Sequence, residues 1–226
     1  MKKTEEYVDQ ICSFLNFNKE DFEKTLNILR AKGWERWGGG TVEVTVAEIL
    51  YVVTTLKKPQ RVLEAGTSWG YSGAHIAEAL RDIGKENYFL SLDISEPDLN
   101  EARKFLTEKK LLGNIDIKCQ SSEIAIDLKS LDMIFVDSSH RYEGTKSEWK
   151  WMYPLLFKNK GIALFHDAYT DDYGVKKFLL ELEKKGHKLI ILDTQDCTGL
   201  GIVTLADTFI EPRTIEEVEV DEWLDE

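Results

Sequence analysis

The chain has 226 residues, 42% hydrophobic and 31% charged, a balance that suits one well-buried α/β domain with an N-terminal extension and excludes a mainly disordered protein. Its formal net charge of −12 disfavours broad electrostatic binding to nucleic acid phosphate. No apolar run approaches the roughly 18–20 residues that span a bilayer, and the first residues show no signal-peptide pattern.

Cys12, Cys119 and Cys197 are scattered and form no CxxC pair, which argues against a disulfide framework or zinc ribbon and suits a reducing, cytoplasmic setting. The acidity gathers in residues 211–226, which hold eight acids and one arginine. That stretch reads either as a solvated tail or as a partner-binding segment anchored by Trp223 and Leu224.

Apolar residues at helical spacing predict helices over 5–15 and 19–31, with a further apolar-rich stretch over 45–56, so residues 1–56 form a helical extension. Between the second and third helices lies KGWERWGGG (32–40). Its glycines free the backbone and its tryptophans offer flat apolar surface, which suits a mobile lid or a loop that plugs the core.

From Arg61 the pattern changes to short apolar runs alternating with amphipathic helices, the signature of a parallel sheet over 57–206, with 207–226 as the tail. The expected strands are 61–65, 88–93, 115–119, 133–137 and 161–166. The expected helices are 71–83, 97–112, a short one near 123–128, 145–157 and 173–185, with Pro97 suited to a first helical turn. Two last strands, 188–192 and 201–205, are joined too briefly for a helical crossover and must pair antiparallel. The predicted fold is a Rossmann-like three-layer α/β sandwich, whose mostly parallel seven-stranded sheet ends in an antiparallel hairpin.

Ligands of such sheets bind outside the carboxyl ends of the strands. The first strand runs into VLEAGTSWGYS (62–72), where Gly66 and Gly70 permit a sharp turn and close approach to a ligand. Glu64 adds a carboxylate suited to a cation or hydroxyl. The spacing is not GxGxxG, so the pyrophosphate-binding fingerprint is absent. Asp93 ends the second strand, where an acid can hold a ribose diol or cap the next helix. Ser121 and Ser122 follow the third strand and can meet an adenine edge or cap a helix.

Residues 45–205 resemble the class I O-methyltransferases, in the branch of catechol O-methyltransferase-like, macrocin O-methyltransferase-like and cephalosporin-hydroxylase-like proteins. The resemblance rests on RVLEAGTSWGYSGAHIAEAL, YFLSLDIS, DMIFVDSSHRYEGTKSEWKWMYPLL, GIALFHDAY and GLGIV. It implies S-adenosylmethionine as methyl donor, with Glu64, Gly66, Thr67 and Ser68 along its methionine side and Gly70 and Ser72 completing that turn. Asp93 is then placed at the ribose and Ser121 near the adenine.

Asp137 closes the fourth strand, and His166 and Asp167 close the fifth. Adjacent parallel strands lie about 5 Å apart, so these three can converge, with His140 three residues beyond the first. Carboxylates with an imidazole suit a divalent cation, magnesium or manganese. The resemblance implies a metal that holds a substrate hydroxyl, yet His166 stands where some relatives have an acid. The alternative is a metal-free site in which His140 or His166 is the general base, or a purely structural cluster. His75 and His187 have no expected role.

Tyr142, Trp149, Trp151 and Tyr153 read mainly as packing residues, with one or two available to wall a substrate. Asp171, Asp172 and Tyr173 can edge the pocket, as can Asp193 and Asp196. The expected activity is methyl transfer from S-adenosylmethionine to a hydroxyl of a small molecule. Rivals are methylation of nitrogen or carbon, a non-catalytic S-adenosylmethionine-binding protein, and a nicotinamide oxidoreductase. The absence of an Asn/Asp-Pro-Pro-Tyr stretch counts against the first, and the missing GxGxxG against the last. No nucleic acid or membrane partner is expected, and a homodimer is the default from symmetry.

Overall fold

The computed structural model describes residues 3–35, 41–194 and 199–207. Trp37, the triple glycine, Asp196, Cys197 and the acidic tail, on which several expectations fall, lie outside the described residues.

After a 3-10 turn at Thr4–Tyr7, helices α1 (Val8–Leu15), α2 (Lys19–Ala31) and α3 (Val44–Lys57) lead into β1 (Arg61–Ala65). The chain continues through α4 (Tyr71–Ile83), β2 (Tyr88–Asp93), α5 (Glu96–Glu108) and β3 (Asp116–Cys119). It ends with β4 (Met133–Val136), α6 (Tyr142–Phe157), β5 (Ile162–His166), α7 (Gly174–Lys184), β6 (Lys188–Leu192) and β7 (Leu200–Thr204).

The helix starts follow local chemistry. Asn18 caps α2 by accepting from the Asp21 amide, and Ser95 caps α5, with Pro97 in its first turn. Helix α5 stops earlier than its apolar pattern suggests because Lys110 is left-handed (φ 58°), and a separate 3-10 turn, Leu112–Asn114, follows. The short helix expected near 123–128 does not form. Its start makes only a turn, Ile124 N–H to the Ser121 carbonyl, and Ile124 points outward at 60% exposure. One turn without a buried face does not offset the cost of helix nucleation.

The seven strands order as β3-β2-β1-β4-β5-β7-β6. Strands β1 to β5 are parallel, while β7 inserts antiparallel between β5 and β6. The expected closing hairpin is therefore present, with its second strand on the inside.

Strand side chains alternate between the two faces. Val62, Phe89, Met133, Phe135, Leu164 and Ile202 join one core with α1 to α4 and with Phe105 and Leu106 of α5. Leu63, Leu90, Ile134, Val136, Phe165 and Val203 join the other, with α6 and α7. The N-terminal helices thus share the sheet's own core. Trp34 packs edge-on to His75, ring centroids 4.5 Å apart, which for this tryptophan matches the core-plug reading. Among the described residues no helix is long and apolar enough to cross a membrane.

Candidate active site

Chain direction puts the carboxyl ends of β1 to β5 on one edge, and a cavity of about 830 Å³ opens there. Gly66, Asp93, Ser121, Asp137 and His140, all singled out from sequence, line it, as do Asp172 and Tyr173. Its remaining wall includes Ile94, Ser122, Glu123, Ser138, Arg141 and Tyr142.

The turn after β1 is stitched to the end of β2. The amides of Gly66 and Thr67 donate to the Leu92 carbonyl, at 2.8 and 3.1 Å. Asp93 accepts from the Ser68 amide at 2.8 Å through one oxygen and from the Ser95 amide at 2.9 Å through the other. It serves the turn and still faces the cavity, while the cap of α5 belongs to Ser95. Gly66 adopts φ +96°, and a Cβ there would collide with the Asp137 carbonyl. Only glycine allows β1 and β4 to end this close together.

Glu64, Thr67, Ser68, Gly70 and Ser72 are not among the described cavity-lining residues. Glu64 is fully buried, where it accepts from Ser72 Oγ at 2.6 Å and Ser91 Oγ at 2.5 Å. Ser91 Oγ also bonds Thr67 Oγ1 at 2.6 Å. Burial pushes the Glu64 carboxyl up to about 8, against the opposing pull of the two serines. Gly70, at φ 81°, starts α4. The side chains of Glu64, Ser72, Ser91 and Thr67 thus form one buried hydrogen-bonded network behind the turn.

The second cluster lies where β4 and β5 end. Ligand atoms of Asp137, His166 and Asp167 all lie within 4.8 Å of one another. His166 Nδ1 is 3.1 Å from Asp137 Oδ1 and 3.3 Å from Asp167 Oδ1. Successive strand side chains normally point to opposite faces, but Asp167 is left-handed (φ 58°). That turn brings its carboxylate back beside the preceding imidazole.

Asp167 Oδ2 meanwhile holds Nδ1 of His140, and the His140 carbonyl accepts from the Gly174 amide at 2.8 Å. The Asp167 carboxylate, accepting from Nδ1, raises the His140 pKa above its ordinary value, against partial burial. His140 also lies 4.9 Å from Tyr173, ring centroid to ring centroid. For His166, burial presses the pKa down, but the carboxylates of Asp137, Asp167 and Glu43 outweigh it and hold the value well above the ordinary range.

Two features escape a reading of the sequence. Glu43, before α3, reaches His166 Nε2 at 3.1 Å; its only signal was an acid beside an apolar helix. Glu148 of α6 is fully buried, and one of its oxygens accepts from both Ser122 and Ser138, tying the loops after β3 and β4 together. An acid within the aromatic run EWKWMY was the available signal for it. Trp149 stacks on Tyr153, 5.1 Å between centroids, as core packing, while Trp151 Nε1 donates to the Ser122 carbonyl at 2.9 Å. Buried His75 and His187 stay outside the cavity lining.

Sheet order, closing hairpin and a cavity at the carboxyl edge define a class I methyltransferase fold. Residues 63–168 match the family model described as a methyltransferase domain. None of the curated proteins matches the chain. Among solved structures it is similar to an O-methyltransferase from Bacillus cereus in complex with S-adenosylhomocysteine, at 14% identity and TM-score 0.63, covering 88% of this chain and 96% of that one. It is also similar to the O-methyltransferase TomG from Streptomyces achromogenes, involved in tomaymycin synthesis and solved with S-adenosylmethionine. That match has 18% identity and TM-score 0.60, covering 91% of this chain and 100% of the other. A methyltransferase from Geobacter sulfurreducens matches at 17% identity and TM-score 0.62, covering 87% and 96%. At these identities the likeness establishes the fold.

Proposed function

We propose that the protein transfers the methyl group of S-adenosylmethionine to a hydroxyl of a small molecule. The observation that carries this reading is a histidine–carboxylate pair: His140 lines the same cavity as Asp93 and Ser121, and buried Asp167 holds it from behind. A pocket that only bound a nucleoside would have no use for the pair. The similar structures bound to S-adenosylmethionine or S-adenosylhomocysteine support the choice of donor.

Asp93 is placed to accept from the ribose hydroxyls, Gly66 to let the donor approach the backbone, and Ser121 to meet the adenine. Glu64, Thr67, Ser68, Gly70 and Ser72 hold the turn in shape. At the other end Asp167 fixes His140 with Nδ1 protonated, which leaves Nε2 to take a proton. The acceptor oxygen attacks the sulfonium methyl carbon in line, the carbon–sulfur bond breaks, and the hydroxyl proton passes to His140. S-adenosylhomocysteine leaves as a neutral thioether. Positioning supplies most of the acceleration, since the donor is already activated.

The donor set of Asp137, His166 and Asp167 fits a divalent cation: two carboxylate oxygens and one ring nitrogen, mutually spaced like neighbouring ligands. Such a cation, magnesium or manganese, would lower the pKa of the acceptor hydroxyl and hold it near the donor.

The test is calorimetric titration of chelator-treated protein with S-adenosylhomocysteine, with and without magnesium or manganese, then assay of methyl transfer to panels of hydroxylated and aminated small molecules. Micromolar binding and turnover on hydroxyls are expected. Turnover on amines alone would establish the nitrogen rival, and absence of binding by folded protein would overturn the reading.

A further inference from the structure

Glu43 lies 123 residues before His166 in sequence, at the N-cap position of α3, where an acid ordinarily turns its oxygens onto the helix's free amides. Here it makes no side-chain cap. It is buried at 6% exposure and turned toward the sheet, with Oε2 3.1 Å and Oε1 3.4 Å from His166 Nε2. The His166 ring is therefore gripped from both sides. Nδ1 faces the carboxylates at the strand ends, and Nε2 faces the helical extension.

An imidazole that ligates a metal through one nitrogen commonly donates its other N–H to a carboxylate. That partner fixes the tautomer and ring orientation and raises the basicity of the ligating nitrogen. Glu43 sits on the nitrogen remote from Asp137 and Asp167, so it is placed to orient His166 and not to share its ligand face. The outward alternative, a helix cap, is unused.

We propose that Glu43 is a positioning residue of the cation site: it accepts the Nε2 proton of His166 and leaves Nδ1 as the nitrogen donor beside Asp137 and Asp167. The helical extension is then part of the site it packs beside, because the carboxylate that sets the ligand's tautomer comes from it. This rests on the cation reading given above.

The experiment is titration of manganese into the chelator-treated full chain, wild type and Glu43→Gln, followed by calorimetry and by loss of the free manganese resonance signal. Thermal unfolding without metal and affinity for S-adenosylhomocysteine show that each protein is folded. Glu43→Gln is expected to bind manganese about 10- to 100-fold more weakly while holding S-adenosylhomocysteine as wild type does. Equal manganese affinity in the two folded proteins would overturn the role of Glu43 and leave the cation reading standing. Wild type that binds S-adenosylhomocysteine but neither manganese nor magnesium would overturn the cation reading, and this proposal with it. Should the variant not fold, nitrogen-detected spectra of magnesium-loaded wild type decide the matter. A proton on Nε2 of His166 is expected, and a proton on Nδ1 would overturn the proposal.

Discussion

His140 and Asp167 come from the ends of different strands, yet Nδ1 of the histidine is held by Oδ2 of the aspartate. The aspartate's other oxygen is 3.3 Å from His166, so one carboxylate serves the proposed base and the cluster beside it. His140→Gln should lower the rate of methyl transfer by about 10²–10⁴ and leave affinity for S-adenosylhomocysteine unchanged, as read by steady-state kinetics and calorimetry. The free base is the working form and Asp167 raises its pKa above 6.5. The rate should therefore climb with pH through a midpoint above 6.5, and the climb should disappear in the variant. An unchanged profile would remove His140 from the reaction.

Asp93 spends both oxygens on backbone amides, those of Ser68 and Ser95, and keeps lone pairs toward the cavity. Its replacement by alanine removes the proposed ribose contact and unpairs the turn below it. Charged hydrogen bonds contribute about 1.5–3 kcal/mol, so Asp93→Ala should weaken S-adenosylhomocysteine binding by roughly 10- to 150-fold. Calorimetry at constant salt is the check. Wild-type affinity in the variant would place the ribose elsewhere.

Much of this architecture was legible because parallel strands write themselves as apolar runs ending in chemistry. Asp93, Asp137 and the His166–Asp167 pair each close such a run, and strand direction alone puts them on one edge. Glu64 was legible as important but not as buried, because alternation assigns it to the face beneath α4 only once the sheet is known. Glu43 was hidden, since its partner is 123 residues away and no local pattern encodes that meeting. The missing helix after Ser121 failed for lack of a buried face, a property of tertiary packing.

Gly66 offers a test of how closely the two ends of the cavity are coupled. Alanine there would be held at φ +96° and would collide with the Asp137 carbonyl. A side chain in that backbone region costs about 1–3 kcal/mol before any clash. Gly66→Ala is expected to lose at least that much stability in urea unfolding and to bind S-adenosylhomocysteine less tightly, since both the turn and Asp137 must shift. A variant matching wild type in both measurements would show that the loops end farther apart.

Glu64 makes the pH dependence of stability specific. Burial raises its carboxyl to about 8, with Asp137 and Asp93 adding to the rise and Ser72 and Ser91 opposing it. In the unfolded chain the group titrates near about 4.3, so between these values the native state holds a proton that the unfolded state has released. Stability from this group is complete below about 4.3 and is lost progressively as pH rises through about 8. Glu64→Gln keeps the shape and stays neutral, so its stability relative to wild type should increase from pH 5 to 8 and level off above. The gain should be on the order of a few kcal/mol at 1.36 kcal/mol per unit of pKa difference. Urea unfolding of both proteins at pH 5.5, 7 and 8.5 measures it. A difference that does not change with pH would mean that Glu64 is ionised throughout, with its charge carried by Ser72 and Ser91.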